Sequence, residues 1–241
     1  MPLIRAIRAA GQRPPLSAER SVKKNYAERL SNEVALALAA QLRRMGLPEC
    51  QPGVSGGKEK QFAGGIGAKK VDVSYATPED GLILAISVKS ISFPDPRTKN
   101  FQKNLTNRRG DLLAEATTLH QRFPYAVVGG LFLFDEGAEG DGTARREPTV
   151  ITAHEYFGAF YPRGDRSDAV ERFETLGIVL YRCIEPVSYR CFRAGKPKAT
   201  VPLDELLVEA LSRVAERNPD RFRLVDRRLV RRGRPAEEGE D

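Results

Sequence analysis

Between Lys70 and Lys89 the sequence brings together an acid, a hydroxyl and an ammonium at spacings that could do phosphate chemistry. Asp72 stands between Val71 and Val73, and a carboxylate in an apolar strand is costly unless it is paired or bound to a metal. Ser87 and Lys89 are two residues apart, so on a strand they share one face, while Leu84, Ile86 and Val88 share the other. Such a face offers oxygen ligands to a hard divalent cation. A lysine beside the cation would orient an attacking water and stabilise charge on a phosphate. Two glutamates on helices are candidates to complete the set. Glu33 lies about 100° round from Val34, at the edge of an apolar stripe, and Glu115 sits in the segment DLLAEATTLH. A structural alternative stands beside each role. Asp72 could pair with Lys70 or Lys89, Glu115 with Arg108, Arg109 or Arg122, and Glu33 could be a solvated helix residue.

The elements that must position these groups can be read from periodicity. Residues 1–16 read as a flexible leader ending in Pro14-Pro15. Residues 17–45 read as a helix, with Leu30, Val34, Leu38, Gln41 and Met45 on one stripe and Gly46 and Pro48 as stop signals. Residues 50–68 read as a Gly-rich loop. Alternation predicts strands over Lys70–Ala76 and Leu82–Ile91, joined by a turn at Pro78-Glu79-Asp80-Gly81. A polar loop (92–107) leads to a helix over Asn107–Arg122. The apolar run Tyr125–Phe134 suits a central strand buried on both faces. An acidic loop, short helices over 152–160 and 167–175, strands over 176–184 and 187–193, and an amphipathic helix over 203–218 complete the order. The expected fold is therefore α/β (α+β): a mixed sheet flanked by helices, in one domain spanning 17–220. Residues 221–241 read as a charged, disordered tail.

The 241-residue chain carries 39 Lys+Arg against 32 Asp+Glu, a formal net charge of +7. The excess is localised: residues 1–24 and 58–109 each carry +5, residues 110–220 carry −5, and residues 221–241 carry +2. A polarised distribution steers polyanions and gives salt-dependent affinity. No apolar run is long enough for a spanning helix, no secretory signal is evident, and three cysteines are too few for a disulfide framework. These features predict a cytoplasmic protein. The segment GVSGGK lacks the first Gly and the Ser/Thr of a phosphate loop, and no strand precedes it. His120 and His154 lack metal-ligand spacing, and Cys183 and Cys191 form no CxxC pair.

The Val71-Asp72-Val73 and Ser87-Val88-Lys89 segments, 15 residues apart from Asp72 to Ser87, resemble the PD-(D/E)xK nuclease superfamily, which includes many restriction endonucleases. The resemblance spans roughly residues 21–134. It departs from the pattern at Ser87, where the family usually has Glu or Asp. The resemblance implies a restriction-endonuclease-like core and Mg²⁺-dependent hydrolysis of phosphodiester bonds, with Mn²⁺ as a substitute. Asp72 and Glu33 or Glu115 would hold the metal, joined by the Val88 carbonyl, and Lys89 would position the water. It further implies duplex DNA as substrate and a homodimer to cut both strands. The surrounding basic and amide groups, Lys58, Lys60, Lys69, Lys70, Arg97, Lys99, Lys103, Asn104, Asn107, Arg108 and Arg109, suit contacts to phosphates and base edges. The missing acid at position 87 keeps a second class open, a non-catalytic DNA-binding or defence-complex subunit on a degenerate nuclease fold. RNA or branched DNA is a third substrate option.

Overall fold

The computed structural model describes residues 2–53, 60–63 and 68–232. At its centre is a five-stranded mixed sheet of order β3-β4-β5-β6-β7. Its strands are β3 (Val73–Thr77), β4 (Gly81–Ile91), β5 (Val127–Asp135), β6 (Thr175–Arg182) and β7 (Ser188–Arg193). The β4, β5 and β6 strands run parallel, and β3 and β7 flank them antiparallel. Five helices accompany the sheet: α1 (Pro2–Ala9), α2 (Arg20–Arg44), α3 (Leu105–Arg122), α4 (Thr149–Gly158) and α5 (Leu203–Arg217).

The sheet separates two apolar layers. On one face, Leu84, Ile86 and Val88 of β4 pack in one cluster with Leu30, Val34 and Leu38 of α2 and Leu207 and Leu211 of α5. On the other, Ala85 and Ile91 pack with Leu112, Ala116 and Leu119 of α3 and Val150 and Ala153 of α4. Strand β5 is buried along its whole length. Its residues alternate between the layers, Val127, Leu131 and Leu133 against Val128, Phe132 and Phe134, as expected of a central strand covered on both sides. Gln41, the polar residue in the α2 stripe, is buried and donates to Asp204 Oδ1 of α5 at 2.6 Å. Among the described residues no helix is long and apolar enough to cross a membrane.

Several elements differ from the sequence expectation. The leader is not flexible throughout: α1 buries Leu3, Ala6 and Ile7 against the α2 layer, an i, i+3, i+4 stripe sufficient for a short helix. The loop at 50–68 contains a strand, β1 (Lys60–Ala63), paired antiparallel with β2 (Ala68–Val71). The expected strand 70–76 is broken at Asp72, so Val71 falls in the α3 layer and Val73 in the α2 layer. Strict alternation also fails at the start of β4. The register advances two residues on β4 for one on β3, from Ala76↔Leu82 to Tyr75↔Leu84. This bulge turns Leu82 to the α3 face. No helix forms over 167–175; turns there lead into β6.

Residues 221–232 of the expected tail are likewise ordered. Strands β8 (Phe222–Val225) and β9 (Arg228–Arg231) form a hairpin. Phe222 and Leu229 are buried in the α2–α5 layer, and the Leu229 N–H donates to the Met45 carbonyl at 2.8 Å. Gly46 permits this approach. Its φ is +105°, and a Cβ there would stand 1.9 Å from the Leu229 carbonyl oxygen.

Candidate functional site

Strand β4 runs on past the end of β3, whose first pair is Val73↔Ile86. The backbone groups of Val88 on that edge therefore have no strand partner in β3. The chain break at Asp72 answers this, because the Asp72 carboxylate turns across and accepts the Val88 N–H at 2.7 Å. In an extended residue the N–H and C=O leave on the same side, so the Val88 carbonyl is directed toward the same edge as Asp72.

The side chains of Ser87 and Lys89 emerge on the α3 face, one step either side of Val88. Lys89 Nζ lies 3.6 Å from Asp72 Oδ2 and 3.6 Å from Glu115 Oε2. Ser87, 1% exposed, donates a short hydrogen bond to Glu115 Oε1. Glu115 reaches the sheet because it lies on the packed side of α3, with Leu112, Ala116 and Leu119. Burial of Lys89 acts to lower its pKa, but Glu115 and Asp72 outweigh it and hold the ammonium above its ordinary value, against a smaller opposing influence from Arg108. The lysine is therefore a fixed positive charge between two carboxylates, with a second cation close by.

The structure thus brings together Asp72, Ser87, Val88, Lys89 and Glu115, and it leaves out Glu33. Ser31 of α2 faces β4, its Oγ 3.3 Å from Ser90 Oγ. Glu33, two residues on, is turned about 200° away. It lines a groove between α1 and α2 with Arg5, Ala6, Ala9 and Ala37. Of the two glutamates expected as alternatives, the structure places Glu115, and not Glu33, beside Lys89.

The basic residues divide into free and engaged groups. Lys70, Arg97, Lys99 and Asn107 are exposed. Lys103 is drawn back to Asp95 at 2.5 Å, and Arg108 lies 3.5 Å from Asp111 on its own helix. Arg109 departs further from the expectation: its guanidinium lies over the rings of Phe160 and Tyr156, so it packs α3 against α4. Only the backbones of Lys60, Lys69 and Asn104 are described, and Lys58 lies outside the described residues. The hydrogen bond from the Val88 N–H, which aims Asp72, has no signature in residue types.

Among the described residues, no group of three or more His, Cys, Asp or Glu side chains is placed to hold a metal. The donor set at this site is two carboxylates and one backbone carbonyl. That set suits Mg²⁺, which keeps several waters and takes one or two protein carboxylates together with substrate phosphate oxygens. Comparison with protein-family models, curated proteins and solved structures finds no match to this chain.

Proposed function

We propose that this chain is a metal-dependent endodeoxyribonuclease of the PD-(D/E)xK superfamily, of restriction type, acting on duplex DNA as a homodimer. The observation that carries the reading is the placement of one ammonium, Lys89, at 3.6 Å from both Asp72 and Glu115 at the open edge of β4. Asp72, Glu115 and the Val88 carbonyl would hold Mg²⁺. The bound ion would polarise a phosphate oxygen and lower the pKa of a coordinated water.

The remaining roles belong to the chain. The Val88 N–H fixes one oxygen of Asp72, and the Ser87 hydroxyl fixes one oxygen of Glu115, so neither carboxylate must reorganise when substrate arrives. Lys89 holds the attacking water by donating to it and offsets charge that develops on the phosphate. Arg108 adds positive potential, and exposed Lys70, Arg97 and Lys99 are available to flanking phosphates.

The test is cleavage of supercoiled plasmid by wild type and Lys89→Ala, with Mg²⁺ and with EDTA. Wild type should nick and linearise plasmid only with metal, and Lys89→Ala should be slower by roughly 10²-fold or more. Undiminished cutting by Lys89→Ala sinks the site. Two features favour a second reading, a DNA-binding subunit without catalysis: Lys89 already pairs with both carboxylates, and position 87 is a serine where the resemblance leads one to expect an acid. Metal-independent DNA binding, with no cleavage of duplex, single-stranded, branched or RNA substrates, would establish that reading instead.

A further inference from the structure

We infer that the exposed face of the β8–β9 ribbon is a second contact for the phosphate backbone of duplex DNA, remote from the Asp72–Lys89 site. This rests on the reading of the chain as a DNA-binding protein. Six arginines lie in residues 221–232, and the structure sorts them into two sets. Arg221 and Arg231 pair with Asp80 and Arg227 pairs with Glu205, at 2.8 to 3.7 Å. These three fasten the ribbon to the body. Arg223, Arg228 and Arg232 are exposed and make no ion pair among the described residues.

The register accounts for Arg231, which shares the inner side with Phe222 and Leu229, while Arg221, opposite Arg232, reaches Asp80 from the end of the ribbon. Arg223 is opposite Val230, and Val225 is opposite Arg228. These four side chains share the outward face, while Phe222 and Leu229 point into the core. Arg228 and Arg232 stand two residues either side of Val230, so each is a diagonal neighbour of Arg223. Diagonal neighbours on a ribbon lie about 7–8 Å apart. The three arginines are therefore spread along the ribbon and are not anchored at one point. Cations spread in this way suit a linear polyanion, whereas a single phosphate group needs arginines that converge on it. The face carries two valines, Val225 and Val230, too little apolar surface to enter a lipid layer. A two-stranded ribbon is also narrow enough to lie in a DNA groove.

The ribbon is a tight hairpin packed on the α2–α5 side of the sheet, whereas Ser87 and Lys89 emerge on the α3 side. The ribbon's strands are joined by two residues, Asp226 and Arg227, both with positive φ (47° and 63°), the tight turn that preserves strand twist. It docks at the turn after β3, and β3 itself starts beside Asp72. Five strand residues span about 17 Å, less than one helical turn of duplex, about 34 Å.

The experiment measures duplex binding by the catalytically disabled Lys89→Ala protein in EDTA, by fluorescence anisotropy, across about 50–200 mM salt. Arg223→Ala/Arg228→Ala/Arg232→Ala is added to that background. Each lost phosphate contact reduces the slope of log K against log salt by about 0.9, so the triple variant should flatten it by roughly two to three. The triple Arg→Lys variant should keep the slope. An unchanged slope overturns the inference, as does an equal loss in the lysine variant. Loss of binding to phosphatidylserine vesicles with an unchanged DNA slope would assign the face to membranes and overturn it too. A flattened slope in a protein that cuts no DNA keeps the ribbon and removes the nuclease reading. Cutting with an unchanged slope does the reverse, and wild type that binds no duplex ends both.

Discussion

Replacing Lys89 by Met separates the electrostatics of the site from its activity. The substitution keeps the length of the side chain and removes the charge that lies 3.6 Å from each carboxylate. At an effective dielectric near 20, each contact is about 4–5 kcal/mol of gross attraction. The two carboxylates, no more than about 7 Å apart by the same geometry, repel by roughly 2 kcal/mol in both proteins, and in the variant no ammonium offsets that repulsion. Most of the gross attraction is offset by desolvation of the charges, and Lys89 and Asp72 keep 19% and 17% side-chain exposure. We therefore expect a net loss of about 2–3 kcal/mol at pH 7 without metal. For a chain of this size that is a fall in Tm of roughly 4–12 °C. The assay is thermal unfolding of wild type and Lys89→Met in EDTA and in Mg²⁺. A cation entering between the carboxylates of the variant takes the place of the lost ammonium. Mg²⁺ at ten times its Kd should return about 1.4 kcal/mol, and it should raise the Tm of the variant more than that of wild type. Equal Mg²⁺ shifts in the two proteins, or none in the variant, would refute the argument that Asp72 and Glu115 form a cation site.

Glu33→Gln should leave plasmid cleavage and its Mg²⁺ dependence unchanged within about twofold, since the residue faces α1 and a surface change of this kind perturbs little; a hundredfold loss would return Glu33 to the site. Glu174→Gln should lower stability by about 3 kcal/mol at pH 7, because Glu174 is buried, accepts the Val128 N–H, and pairs with His120, Arg163 and Arg217. Burial acts to raise the Glu174 pKa, but the bond from His120 and the charges of His120 and Arg217 outweigh it and hold the pKa below the ordinary value. Its stabilisation is thus present above the unfolded-state pKa and is lost as pH falls through the lower folded value. Chemical denaturation at stepped acidic pH should show a steeper loss in wild type than in Glu174→Gln, and parallel curves would contradict this linkage. Gly46→Ala should cost at least about 3 kcal/mol and expose β8–β9 to limited proteolysis, since the added methyl meets the Leu229 carbonyl; a protease-resistant tail would show that the contact is dispensable.

The sheet strands were legible because their signals are local. The run YAVVGGLFLF predicts a buried strand by composition, and β5 occupies it from residue 127 and extends one residue past its end. The turn at 78–81 and the helices at 20–44, 105–122 and 203–217 follow from breakers and 3.6-residue spacing in the same way. At the ends of the chain, high charge density masks the order that the structure shows over residues 2–9 and 222–231. In RFRLVDRRLVR the apolar residues Phe222 and Leu229 are few, yet each is placed on the inner face of a hairpin. Four strand residues per arm give alternation too little length to stand out against six charges in the same stretch. The break at Asp72 was hidden for another reason. Val71 and Val73 alternate correctly for one strand, and only the end of β3 pairing at Val73↔Ile86 shows that they belong to two layers.

The choice between Glu33 and Glu115 was open in the sequence because both are acids near apolar helix faces, and helical phase alone cannot say which face meets which strand. In the structure it is Glu115 that lies beside Ser87 and Lys89. The residue at position 87 is 1% exposed and points at α3, so it has room for a hydroxyl but little for a longer acid beside Glu115. A carboxylate at 87 would bury a second negative charge in the space that Glu115 already occupies, and like charges at that separation are costly. The serine is therefore the residue that a helix-borne acid requires: it is small enough to admit Glu115 and supplies the hydrogen bond that orients it. The serine at 87 and the approach of Glu115 to Lys89 are one arrangement, in which a carboxylate borne by α3 is oriented from the strand.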